Sequence, residues 1–155
     1  MLLGELGIPL ILCPRSNYWF LGKVPNLKAI YELNLRVGLG TDNACWIKGD
    51  LWRDMEFLAN ILRSKGILDP KWLLKASTVS SEIIGLSNFI CEGCEANILM
   101  VNEELVPIKT SKNKYLAIVK RGGPEAVEGL IIDGIPKYCS DKYETLCRNI
   151  RNGFS

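Results

Sequence analysis

Ile8-Pro9-Leu10-Ile11-Leu12-Cys13 and Leu35-Arg36-Val37-Gly38-Leu39 are two short, largely apolar runs, and the residues between them decide the fold. Runs of this kind suit strands buried on both faces of a parallel sheet. Pro14 ends the first run, and a loop carrying Tyr18, Trp19 and Gly22 is expected after it. Pro25 suits the first turn of a helix with Leu27, Ile30, Tyr31 and Leu33 on its apolar side, and Asn34 suits a left-handed C-cap. Strand, helix and strand with short connections make one βαβ unit. The two strands should therefore be parallel, with a right-handed crossover covered by helix.

Farther along, Asp50 is the expected N-cap of a long helix with Leu51, Met55, Leu58 and Leu62 at helical spacing and Lys65-Gly66 as its stop. Asp69-Pro70 starts another, with Trp72, Leu73, Ala76, Ile83 and Ile84 as its apolar contacts, a break near Thr78 and an end at Gly85. The texture changes from Ile90. Asn97 to Val101, Tyr115 to Lys120 and Val127 to Ile132 read as short strands, with Gly122-Gly123-Pro124 and Asp133-Gly134 as turns. Asp133-Gly134 between Leu130-Ile131-Ile132 and Ile135 is a hairpin signal. Lys142 to Ile150 reads as a short helix with Leu146 and Ile150 on one side. The expected organisation is an α/β segment over 1–89 and a small β-domain with a short C-terminal helix over 90–155.

A chain of 155 residues is long enough for one domain with a true core. Hydrophobic residues make up 48% and mean hydropathy is +0.11, leaving room for apolar surface meant for a partner. Nineteen Lys and Arg against 17 Asp and Glu give a net charge of +2, too small to favour nucleic acid or acidic lipid. The apolar run from Met1 to Leu12 contains Glu5, lacks a basic start and stops at Pro14. It is built neither as a signal peptide nor as a bilayer span, so a cytoplasmic protein without membrane contact is expected.

Six cysteines form no recognisable disulfide framework, and reduced thiols are the expectation. Cys91-Glu92-Gly93-Cys94 invites a zinc or redox reading, but Cys139 and Cys147 do not supply a second tight pair, and the motif precedes a strand rather than opening a helix. Incidental or structural thiols are the plainer account, with a local disulfide or an accidental metal site as the alternative. Lys109, Lys112, Lys114, Lys120 and Arg121 read as a solvated loop; the aromatic interleaving that single-strand binders use is nearly absent.

Asp42, in Gly40-Thr41-Asp42-Asn43, stands just past the end of the second parallel strand. Open α/β sheets and barrels place their chemistry there. Position alone also allows a cap of a turn or of the following helix.

Cys13-Pro14-Arg15-Ser16-Asn17 resembles the loop after the seventh barrel strand in one branch of the amidohydrolase superfamily, the branch of cytosine and guanine deaminases, adenosine-type deaminases and triazine chlorohydrolases. Val37 to Asn43 resembles that branch's eighth strand and its catalytic aspartate. Asp50-Leu51-Trp52-Arg53-Asp54-Met55 looks like the start of the next helix, and Ala76-Ser77-Thr78 through Gly85-Leu86 like the late helical segment. Glu92 to Leu99 resembles the family's Gly-x-x-Ala-Asp turn, with Asn97 where Asp is usual, and Val127 to Pro136 resembles the closing strand pair.

The resemblance implies an α/β fold comprising the last two βα units of a TIM-type (β/α)8 barrel, followed by a small antiparallel β-domain. It implies a metal-dependent hydrolase acting on C–N or C–Cl bonds of a heterocycle such as a nucleobase. Zinc or iron would activate water, and Asp42 would contact the metal in an assembled site and move the proton as the catalytic residue. Ser16 and Asn17 would line the site, and Trp46 would either pack over a flat substrate or serve as core or rim. A complete barrel takes about 250 residues, and the family's metal-holding histidines lie upstream of the matched region. This sequence has no histidine at all. The expectation is a chain that holds no catalytic metal alone and needs a missing N-terminal barrel half or another copy of itself. The alternative is a non-catalytic remnant or a self-associating interaction module.

Overall fold

The computed structural model describes residues 2–86 and 90–153. The expected division between 89 and 90 falls beside residues 87–89, which lie outside the described residues. After a single helical turn, α1 (Leu2–Glu5), come β1 (Leu10–Leu12) and β2 (Val37–Leu39). These two strands pair in parallel with Leu10, Ile11 and Leu12 opposite Val37, Gly38 and Leu39. Two helices rather than one connect them.

The expected loop through Tyr18 and Trp19 is helix α2 (Pro14–Leu21). Pro14 has a double effect: it cannot extend the strand, and its fixed φ and missing N–H suit a first helical position. Gly22, at φ 62°, closes the helix with its N–H donating to the carbonyl of Tyr18. The second connector, α3 (Leu27–Glu32), is capped by Asn26, whose side chain accepts from the Ala29 N–H, so Pro25 precedes the helix rather than starting it. Asn34 takes the left-handed conformation expected of it, at φ 48°.

α4 (Leu51–Ser64) and α5 (Pro70–Ile83) follow, each N-capped by the expected aspartate, Asp50 and Asp69. α5 runs through Thr78 without a break. The hydroxyls of Ser77 and Thr78 donate back to the carbonyls of Leu74 and Lys75 at 2.7 and 2.8 Å, which satisfies them inside the helix. Leu12, Leu27, Val37, Leu39, Met55, Leu58, Leu62 and Leu73 form the main core between the strand pair and α3, α4 and α5. Gly38 lets α5 lie directly on β2: a Cβ there would stand 3.1 Å from Ser80 Cα, and Ser80 Oγ donates to the Leu39 carbonyl at 2.6 Å.

The second sheet is antiparallel, β3 (Ile98–Val101), β4 (Val127–Ile132) and β5 (Ile135–Cys139), in that order. Asp133 and Gly134, at φ 52° and 75°, make the expected hairpin turn. Asn97 ties this turn to the segment before β3, its side-chain oxygen accepting from the Asp133 N–H at 3.0 Å. An aspartate would offer the same acceptor.

The expected strand from Tyr115 to Lys120 is helix α6 (Lys114–Arg121). Asn113 caps it, Lys120 and Arg121 end it, and Val119 is buried in the main core. Its β-branched Ile118 and Val119 suggest a strand locally, and packing against α4 and α5 overrides that preference. Lys120 Nζ reaches Glu56 Oε1 at 2.7 Å and Asn60 Oδ1 at 3.0 Å.

A short 3₁₀ turn leads into α7 (Glu144–Gly153), where Cys147 faces inward and Leu146 is half-exposed, contrary to the expected apolar side. The expectation of reduced thiols is also corrected: Cys91 pairs with Cys94 and Cys139 with Cys147. Gly93, left-handed at φ 78°, folds the first pair's backbone back, and α7 doubling back on β5 brings the second pair together. Cys13 and Cys45 are free. Among the described residues, no helix is long and apolar enough to cross a membrane.

Candidate functional site

Both strands of the parallel pair end in the same place, so the residues that follow them meet. Cys13 and the first turn of α2 follow β1, and Gly40 to Asn43 follow β2. Ser16 is 2% exposed and its Oγ donates to Asp42 Oδ2 at 2.5 Å, joining the two segments. Asp42 itself is exposed and left-handed, at φ 62°. Non-glycine residues adopt that conformation uncommonly, and it persists where surrounding contacts over-determine it.

The capping alternative for Asp42 fails on the geometry. Asp50 caps α4, accepting from the N–H groups of Trp52 and Arg53, while Asn43 accepts from the Cys45 N–H to shape the intervening turn. Asp42 is thus free of a backbone-capping duty.

Arg15, which the sequence reading quoted only as part of a motif, is the hub beneath this site. Its Nη2 donates to Asp54 Oδ2 at 2.6 Å and to the carbonyls of Lys48 and Asp50 at 2.7 and 3.1 Å. Its backbone N–H also donates to Asp54 Oδ1 at 3.3 Å. Asp54 is fully buried. An arginine that follows a strand-ending proline, paired with an aspartate one turn into a later helix, leaves no local sequence signal. Tertiary structure alone reveals it.

Cys13, like Arg15, was quoted from sequence only as part of that motif. A Cβ on Gly40 would stand 3.1 Å from its Sγ, so the glycine gives the thiol room beside Asp42. Burial first, and then the negative charge of Asp42, push the Cys13 thiol above the ordinary 9.0, while the Asp42 backbone N–H partly offsets this. A raised thiol pKa keeps the neutral form to higher pH. In a Cys45→Ser background, the pH midpoint of Cys13 alkylation should therefore lie above 9.0. Asp42→Asn should move it down without reaching the free-thiol value, since burial remains. An unmoved midpoint would show that Asp42 does not face the thiol.

Asn17 is half-buried on the same helical turn, and Trp46 is 68% exposed in the loop after Asp42. Among the described residues, neither makes a hydrogen bond or ring contact to Asp42 or Ser16. Of the four predicted site residues the structure joins Ser16 and Asp42. A catalytic zinc takes about three protein ligands and an open position. Among the described residues no three His, Cys, Asp or Glu side chains converge in that way. The donors among the described residues do not by themselves fit a catalytic metal.

The class suggested by the sequence is met in relatives and in fold. The putative aminohydrolase of Methanothermobacter thermautotrophicus is 30% identical over 135 residues, which is 86% of this chain and 34% of the relative. The 5-methylthioadenosine/S-adenosylhomocysteine deaminase of Dictyoglomus thermophilum is 27% identical over 143 residues, again 86% of this chain and 33% of that protein. Among solved structures, E. coli guanine deaminase superposes with a TM-score of 0.71 at 21% identity, covering 90% of this chain and 36% of that one. No family model matches. Over most of its length the chain is similar to part of an aminohydrolase and of a deaminase, and it shares the fold of part of guanine deaminase. It spans about one third of the length of the curated relatives it matches.

Proposed function

We propose that this chain supplies the proton-handling aspartate of a hydrolase that cleaves the C–N bond of a heterocyclic amine, in an active site completed by a barrel segment that these 155 residues do not contain. The observation that carries the reading is Asp42, at the C-terminal end of a parallel strand pair and held by a buried hydroxyl, in a chain whose relatives bear aminohydrolase and deaminase names. Water adds to the ring carbon, Asp42 accepts its proton, and the same proton passes to the departing nitrogen as the C–N bond breaks. The groups that polarise the water come from the completing segment, because these 155 residues include no histidine and the described residues hold no convergent donor set.

The strand pair supports a completing segment as well. β1 and β2 bond only to each other among the described residues, so their outer edges are open, and Ile11 in β1 is 49% exposed. Open edges of this kind are paired or covered in stable proteins. A barrel segment carrying the remaining strands would do both.

Alone, the chain is expected to hold no stoichiometric zinc or iron after dialysis. Metal analysis that finds one equivalent, lost in Asp42→Ala, would overturn the requirement for a completing segment. Activity is tested by co-expressing the chain with the part of the M. thermautotrophicus relative that lies outside the match. Ammonia release is then followed from guanine, 5-methylthioadenosine and S-adenosylhomocysteine. A complex that forms and releases ammonia from none of them counts against the hydrolase reading.

A further inference from the structure

We propose that Ser16 is the positioning residue of Asp42: it holds Oδ2 and leaves Oδ1 as the oxygen that meets the water. Its meaning for catalysis rests on the hydrolase reading, but the geometry stands apart from it.

A serine hydroxyl has one proton to give, and Ser16 gives it to Asp42 Oδ2 at 2.5 Å. The donor is buried at 2% exposure while the acceptor is on an exposed loop residue. An exposed aspartate without such a tie is free to exchange between side-chain rotamers; a buried donor on a rigid helix turn selects one. Preorganisation of this sort is what an acid–base group needs if its geometry is to match the reacting atoms.

The donor is itself immobilised. Pro14 is buried at the start of α2, and the next residue, Arg15, is fastened to α4 through both its backbone N–H and its guanidinium at Asp54. The same Arg15 guanidinium binds the carbonyls of Lys48 and Asp50. The segment from Asp42 to Asp50 is therefore gripped at both ends by adjacent residues of one helical turn, Ser16 at the start and Arg15 at the finish. Ser16 faces the reacting carboxylate and Arg15 faces the frame, which separates their effects: losing Arg15 disturbs folding, and losing the Ser16 hydroxyl disturbs one side chain.

A filler role for Ser16 predicts no change at Asp42 when the hydroxyl is removed. The discriminating experiment is measurement of the Asp42 χ1 angle by side-chain NMR couplings in the full chain, wild type against Ser16→Ala and Ser16→Thr. The expected result is one rotamer in the wild type and averaged couplings in Ser16→Ala. Amide shifts beyond 13–17 and 40–50 should stay in place, and the single rotamer should return in Ser16→Thr. An Asp42 already averaged in the wild type, or still fixed in Ser16→Ala, overturns the proposal. In the assembled complex Ser16→Ala should lower kcat roughly 10- to 100-fold with KM within about twofold, since it removes pre-paid orientation rather than binding. A complex without activity whose Asp42 nevertheless follows the expected rotamer pattern would sink the hydrolase reading and leave the positioning role standing. Equal losses in kcat for Ser16→Ala and Ser16→Thr, with KM unchanged, would refute the role of the hydroxyl in catalysis.

Discussion

Asp54→Ala should destabilise the chain by about 3–5 kcal/mol, with a fall in Tm of roughly 10 °C or more by calorimetry. Asp54 is fully buried and the Arg15 side chain is 16% exposed, so the pair lies largely out of reach of water. Truncating the carboxylate strands a guanidinium whose Nε already lacks a partner. It also frees the Arg15 N–H, unfastening the first turn of α2 from α4. The attraction between the two charges is the smaller part of the effect. Most of the loss is the uncompensated charge left behind, so the double variant Arg15→Met/Asp54→Leu should recover part of the stability, the hold on the Lys48 and Asp50 carbonyls remaining lost. A single variant within about 1 kcal/mol of the parent would show that water reaches the arginine freely.

This pair also marks where sequence reading stops. Elements governed by local rules were legible: Asp50 and Asp69 as caps, Asn34 as a left-handed stop, Asp133-Gly134 as a hairpin turn, and the parallel pairing of the two apolar runs. Each of these is settled within a few residues by backbone sterics or a side-chain acceptor. α6 was misread because Tyr115 to Lys120 is β-branched and aromatic enough to pass for a strand. What makes it a helix is Asn113 at its start together with α4 and α5 alongside, and the second of these is not local. α2 was missed for a related reason, since Pro14 announces the end of a strand and the start of a helix with the same chemistry.

The candidate site divides along the same line. Asp42 was singled out by its place after a parallel strand together with the resemblance of its loop, and Ser16 by the resemblance of the motif that follows the other strand. Their hydrogen bond was not, because 26 residues separate donor and acceptor. Neither Cys13 nor Arg15 carries a local signature. Both acquire their surroundings only when β1 and β2 align, which brings Gly40 against the thiol and the Asp42 to Asp50 segment against the guanidinium. Trp46 attracted attention as an aromatic near a loop aspartate, yet at 68% exposure it packs little of its surface within this chain.

Asp42→Asn in the completed enzyme is the prediction with the largest effect on turnover. The amide nearly preserves the shape of the side chain and keeps an oxygen able to accept from Ser16, so folding, assembly and the rotamer should be retained. What it loses is basicity. General acid–base groups contribute about 10²–10⁴-fold to rate, and loss of kcat in that range is expected, with KM changed much less, since in the proposed reaction the carboxylate acts on water rather than holding the heterocycle. The comparison with Ser16→Ala then orders the two residues. The variant that removes the acceptor must cost more than the variant that only loosens it, and the double variant should be no worse than Asp42→Asn, since a hydroxyl cannot position a base that is absent. Additive losses would place Ser16 in an independent role. A fully active Asp42→Asn complex would remove the aspartate from the chemistry altogether.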